Sequence, residues 1–188
     1  MKTIAAILIS VCFAISCTHT YTPKPRGYFR IDFPAKEYQQ FDSTCPFTFQ
    51  YPKYGKIERD MDKNAEPCWI NITFPQYKSK IHLSYKVVNG NPAQYIEDSH
   101  TLAYKHAIKA DAIDEFLVEY PQKKVYGIIY DIRGNAASAI QFYLTDSVRH
   151  FLRGSLYFEA TPNKDSLAPA IDFFRKDVEK IINTLEWK

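Results

Sequence analysis

The stretch "KVYGIIYDIRGNAASAIQFYLTDSVRHFLRGSLYFEA", residues 124–160, decides the fold. Three runs inside it, "KVYGIIYDIRG", "SAIQFYLTDS" and "RHFLRGSLYFEA", alternate in polarity with a period near two, as strands with one buried face do. Gly134-Asn135 and Asp146-Ser147 mark short turns between them. Links this short join antiparallel neighbours, because a parallel crossover needs a dozen residues or more. Residues 124–160 are therefore predicted to form a three-stranded meander.

Upstream, "CWINITF" sets Ile70, Ile72 and Phe74 on one face, and "KIHLSYKVV" sets Ile81, Leu83, Tyr85 and Val87 opposite His82, Ser84 and Lys86. Both read as half-buried strands. Asn91-Pro92-Ala93-Gln94 combines a capping residue, a proline at the first helical position and a glutamine placed for a capping box, which predicts a helix to about Lys109. A second helix begins near Asp165-Ser166 and carries Ile171, Phe174, Val178, Ile181, Ile182 and Leu185 as an apolar stripe. This order implies an α+β domain, an antiparallel sheet or meander with two helices packed in a sandwich. "FTFQYPKYGKI" followed by that order resembles the Mog1/PsbP-like arrangement.

The N-terminus has its own logic. One lysine precedes about a dozen nearly uninterrupted apolar residues, too few to span a bilayer but enough for a signal-peptide core. Ala14-Ile15-Ser16-Cys17 resembles a bacterial lipobox, with alanine where leucine is usual, whereas Cys12 follows the bulky Val11. Residues 1–16 are thus read as a signal peptide and Cys17 as the lipidated first residue. Several acyl chains there supply the second hydrophobic signal that stable anchoring needs. Threonine- and proline-rich residues 17–27 form a tether, and 28–188 a single domain. Cys45 and Cys68 remain, and an even remainder in an oxidising compartment suggests one disulfide; the alternative is two separate buried thiols.

Loss of Lys2 with the leader takes the formal charge from +3 to +2, which argues against a nucleic-acid partner. Gly154-Ser155 lacks the other glycine of a nucleophile elbow, and neither a phosphate-binding loop nor a dinucleotide fingerprint occurs. His100 and His106 are six apart and cannot share a helix face as paired metal ligands do. Asp111, Asp114 and Glu115 in "DAIDEF" are expected to cap or solvate the end of the first helix. No catalytic residue, cofactor or metal site is predicted. Two polar groups are candidates for partner contact. One is Asp131, Arg133 and Asn135 at a strand end, where a plain glycine turn is the alternative. The other is the meander's second face, with Gln141, Tyr143, Thr145, Phe151, Arg153, Tyr157 and Glu159. It is core if a helix covers it and an aromatic and arginine interface if none does.

Several blocks in order, "PKPRGYFRIDFP", "CPFTFQYPKYGKI", "CWINITFP", "LAYKHAIKADAI", the meander and the closing "LEWK", resemble the gliding-motility lipoprotein GldD family of Bacteroidetes. The resemblance runs over nearly the whole mature chain, and Cys17 matches the family's lipidated cysteine. It implies a membrane-anchored, non-enzymatic accessory or assembly factor that works with other gliding and type IX secretion envelope proteins. It brings no catalytic residues. Residues 18–27 lack the acidic cluster that follows the cysteine in surface-exposed Bacteroidetes lipoproteins, which points to the periplasm. The competing expectation is an envelope enzyme or small-ligand-binding lipoprotein whose site is built from distant strands.

Overall fold

The structure, a computed structural model, describes residues 30–188; the predicted leader, Cys17 and the tether lie outside the described residues. The strands are β1 (Tyr38–Phe41), β2 (Phe47–Pro52), β3 (Lys56–Arg59), β4 (Ile70–Phe74), β5 (Ser79–Val87), β6 (Ala110–Tyr120), β7 (Val125–Gly134), β8 (Ser138–Thr145), β9 (His150–Phe158) and β10 (Glu186–Trp187). The helices are α1 (Ala93–Tyr104), between β5 and β6, and α2 (Lys164–Thr184), after β9. Seven strands make one antiparallel sheet in the order β3-β4-β5-β9-β8-β7-β6, and β1-β2-β10 make a smaller one.

The meander is present as β7, β8 and β9, which are neighbours in that order. Strand β5 joins its far side, with Leu83 opposite Gly154. Alternation then sorts the side chains onto two faces. Ile72, Ile81, Leu83, Phe142, Leu144 and Leu152 point to the first face, where they pack in one core with Phe174, Val178, Ile181 and Ile182 of α2. Phe47 and Phe49 of the small sheet complete this layer. On the second face, Tyr130, Ile132, Tyr143 and Phe151 form a smaller cluster with Ala103 of α1. A helix stripe and a strand face solve the same burial problem on each side of the sheet.

Gly154 is one place where the packing dictates glycine. The ring of Phe142 lies over it, and an added Cβ would sit 2.1 Å from Phe142 Cζ. Gly154→Val is expected to destabilise the domain by about 1–3 kcal/mol, since the fully buried ring has no room to retreat. Urea denaturation of the variant checks this. The residue that fails as part of a nucleophile elbow is thus held by sheet packing.

Three sequence expectations need correction. Helix α1 ends at Tyr104 and tightens into a 3₁₀ turn, Lys105–Ile108. "DAIDEF" is not the solvated end of that helix but the first half of β6, an eleven-residue edge strand. Its period is hidden because both faces stand largely in solvent: Phe116 and Leu117 are 52% and 71% exposed on opposite sides. Val87 also leaves the inner face, being exposed at the end of β5, while Val88 is buried in the cluster under α1.

Two devices tie the N-terminal part to this frame. Asp177 of α2 is fully buried and accepts hydrogen bonds from Lys36 Nζ at 2.7 Å, Tyr54 Oη at 2.5 Å and Tyr38 Oη at 3.2 Å. Lys36 also donates to the Phe173 carbonyl at 2.9 Å and stands 3.2 Å from the Phe173 ring centroid. A disulfide joins Cys45, in the β1–β2 loop, to Cys68, just before β4, with Cα atoms 5.6 Å apart. It links the loop of the small sheet covalently to the start of β4 in the large one.

Candidate functional site

Two concavities among the described residues lie on opposite faces of the large sheet. The first is a cleft of about 880 Å³ between α2 and strands β6 and β7, floored by Ile129, Ile140, Ile171 and Val178 and open at Phe116. Three ion pairs stand on its polar rim. Arg175 meets Asp131 at 2.9 Å, Arg133 meets Asp114 at 2.5 Å, and Lys164 meets Asp111 at 2.5 Å. The two exposed pairs, Arg133–Asp114 and Lys164–Asp111, contribute little stability, whereas Arg175–Asp131 is half-buried beside the apolar floor.

Beside the cleft runs the outer edge of β6. Among the described residues no strand pairs with it, so its alternate N–H and C=O groups are unmatched by any ladder. The opposite edge of the sheet, β3, has only four residues, three of them charged. Edge β6 is long and carries Phe116 on one face and Leu117 on the other, with Ile108 89% exposed just before it. It also carries Asp111, Asp114, Glu115 and Glu119 and no basic residue.

The second concavity is a trough of about 600 Å³ between α1, β5 and β9. Small Ser84 and Ser155 leave its floor low, Tyr95, Phe151 and Tyr157 give aromatic walls, and Asp60 and Asp98 stand in its lining. Arg153 is half-buried there and donates to Gln141 Oε1 at 2.5 Å. Burial pulls its guanidinium below the ordinary arginine value, against the influence of Tyr157. Burial also lowers His82, with Lys80 adding to the effect and Asp60, 4.0 Å away, opposing it.

The predicted contact residues do not form one surface. Asp131 and Arg133 border the cleft on the first face. Asn135 is structural: its Oδ1 accepts from Lys164 N, and its own N–H donates to the Lys109 carbonyl. Gly134, at φ +114°, makes that turn, as the glycine-turn alternative requires. Tyr143 and Phe151 are buried beneath α1, so for them the covered-face alternative applies. Phe151 also reaches the trough wall from beneath the helix, and Arg153 and Tyr157 line the trough directly. The β6 edge is the feature that sequence reasoning missed; four acidic residues among exposed apolar ones were its signal.

The family model described as gliding motility lipoprotein GldD matches residues 18–187, which spans both concavities and the whole sheet. The chain belongs to the gliding motility lipoprotein GldD family. The GldD-family protein is therefore a membrane-anchored lipoprotein of the cell envelope with a part in gliding motility, and the family is not one of enzymes by name. Among curated proteins, none matches the chain. The fold is PsbP-like. The solution structure of cyanobacterial PsbP (CyanoP) from Synechocystis sp. PCC 6803 superposes with a TM-score of 0.52 at 10% identity, covering 82% of this chain and 95% of that one. At such identity the likeness concerns the fold alone.

Proposed function

We propose that this protein is a periplasm-facing, non-enzymatic accessory or assembly factor of the gliding and type IX secretion machinery, which docks a partner envelope protein along the edge of β6. In this reading residues 1–16 are removed, Cys17 carries the lipid, and the short tether holds the domain near the membrane. The observation that carries the docking is the open, eleven-residue β6 edge with Phe116 and Leu117 exposed beside an apolar cleft. A partner strand added there would satisfy the unmatched backbone groups and send alternate side chains into the cleft. The occupant is an extended segment with basic and apolar residues, because Glu115 and Glu119 have no lysine or arginine partner among the described residues once Lys164 and Arg133 have paired with Asp111 and Asp114. Self-pairing of two β6 edges would bring Glu115 and Glu119 of each copy together, and like charges facing across a ladder destabilise it.

The test is complementation of a deletion strain. Leu117→Lys changes a side chain that is 71% exposed, so folding stability should move by no more than about 0.5 kcal/mol. Gliding should nevertheless be lost with normal protein levels, and export of type IX cargo, measured in parallel, should fall with it. Normal gliding and export in the Leu117→Lys strain would remove docking at β6. Cys17→Ala tests the anchor separately: full activity from a released form would remove that element.

A further inference from the structure

We infer that the trough under α1 is a ligand site in which Arg153 anchors a single carboxylate carried on an apolar or aromatic body. The first ground is charge pairing. Among the half-buried cations, Lys36, Lys80, Lys86, Lys123 and Arg175 each lie within 4.0 Å of a carboxylate. Lys180 stands over the Tyr38 ring. Arg153 has neither kind of partner among the described residues; its hydrogen bond goes to a neutral amide oxygen. A shielded guanidinium without a counter-charge is unfavourable, and such a group persists where a ligand uses it.

The second ground is hydrogen-bond balance. Gln141 is buried with its Oε1 turned to Arg153, and its Nε2 has no acceptor. A guanidinium has five N–H donors and no acceptor capacity. The neighbourhood is thus short of acceptors, and an ionised carboxylate offers acceptors alone, in the planar spacing that a guanidinium fork matches. Shape agrees: about 600 Å³ lies within the range of small-ligand pockets, and the half-buried Tyr95 and Tyr157 give an apolar body aromatic side chains to pack against. Asp60 and Asp98 in the same lining select against phosphate or sulfate, whose double charge they would repel.

The full chain, purified from membranes in detergent, would be titrated calorimetrically with N-acetyl-L-phenylalanine, with its amide and with inorganic phosphate. Saturable binding of the acid is expected, weakened about tenfold or more when the carboxylate is replaced by the amide. Phosphate should bind more weakly than the acid. Arg153→Gln should abolish the difference between acid and amide. Its thermal midpoint should be no lower than the parent's, because the substitution removes a charge without a counter-charge. Arg153→Lys keeps the charge but not the fork, and should weaken the acid while leaving the amide unchanged. Equal affinities for acid and amide, phosphate binding as tightly as the acid, or acid binding that survives Arg153→Gln would overturn the assignment. Because these readouts do not involve β6, they fail or succeed independently of partner docking.

Discussion

Lys36→Met should destabilise the domain by about 3 kcal/mol. Removing one partner of a buried ion pair typically costs about 3–5 kcal/mol, because the other charge is left uncompensated. The low end applies since the Lys36 side chain keeps 23% exposure while Asp177 keeps none. Burial pushes the Asp177 carboxyl above its ordinary value against the donors Lys36 and Tyr54, and burial likewise pulls the Lys36 ammonium down despite Asp177. Both shifts express the desolvation of a shielded pair that pairing only partly offsets. Without Lys36 the carboxyl rises further above 3.8, and the folded state then holds a proton that the unfolded chain releases. A raised folded-state value favours folding most in acid and loses that contribution as pH rises through it. The Lys36→Met deficit should therefore be smallest near pH 4 and grow towards neutrality, as urea denaturation at several pH values would read. Adding Asp177→Asn, which removes the stranded charge, should recover much of the loss at pH 7 and flatten the pH dependence. A deficit independent of pH would mean that Lys36 acts through its packing on Phe173 alone.

How much of this was legible in the sequence depends on the range of the interactions. The meander and α2 announce themselves because burial on one face imposes a period of two or of 3.6 on neighbouring residues. The start of α2 is local too: Asn163 Oδ1 accepts from Ser166 N, within two residues of the predicted boundary. Strand β6 escaped because an edge strand with two wet faces has no reason to alternate, and its carboxylates read equally well as a frayed helix end. Strands β1, β3 and β10 have four, four and two residues, too short to carry a period. The Asp177 cluster joins residues 141 apart, and no local pattern records it.

The candidate sites divide along the same line. Asp131 and Arg133 share a strand face, as their spacing of two requires, but their partners Arg175 and Asp114 come from other elements. Arg153 was visible as one of several polar residues on the meander's second face. Its distinction, a half-buried charge without a counter-charge, exists only after β5, β8 and α1 have assembled around it. Tyr143 is core beneath α1, Phe151 belongs both to that core and to the trough wall, and Arg153 and Tyr157 line the trough, so one strand face passes from core to trough along its length.

Breaking the Cys45–Cys68 bond should cost about 3 kcal/mol while leaving the native structure unchanged. The two cysteines are 23 residues apart, and closing a loop of that length restricts the unfolded chain by roughly this amount in the chain-entropy model. Since the effect lies in the unfolded ensemble, the Cys45→Ser/Cys68→Ser variant should show a larger urea m-value as well as a lower midpoint, because its unfolded state exposes more surface. Its affinity for the acid probe at Arg153 should match the parent's. A native-state effect predicts the reverse, with an unchanged m-value and altered binding, since the disulfide would then be holding the small sheet and the core in place. The distinction bears on where the protein works. A domain stabilised chiefly through its unfolded chain folds correctly but is less robust when reduced, so an oxidising compartment adds persistence rather than shape.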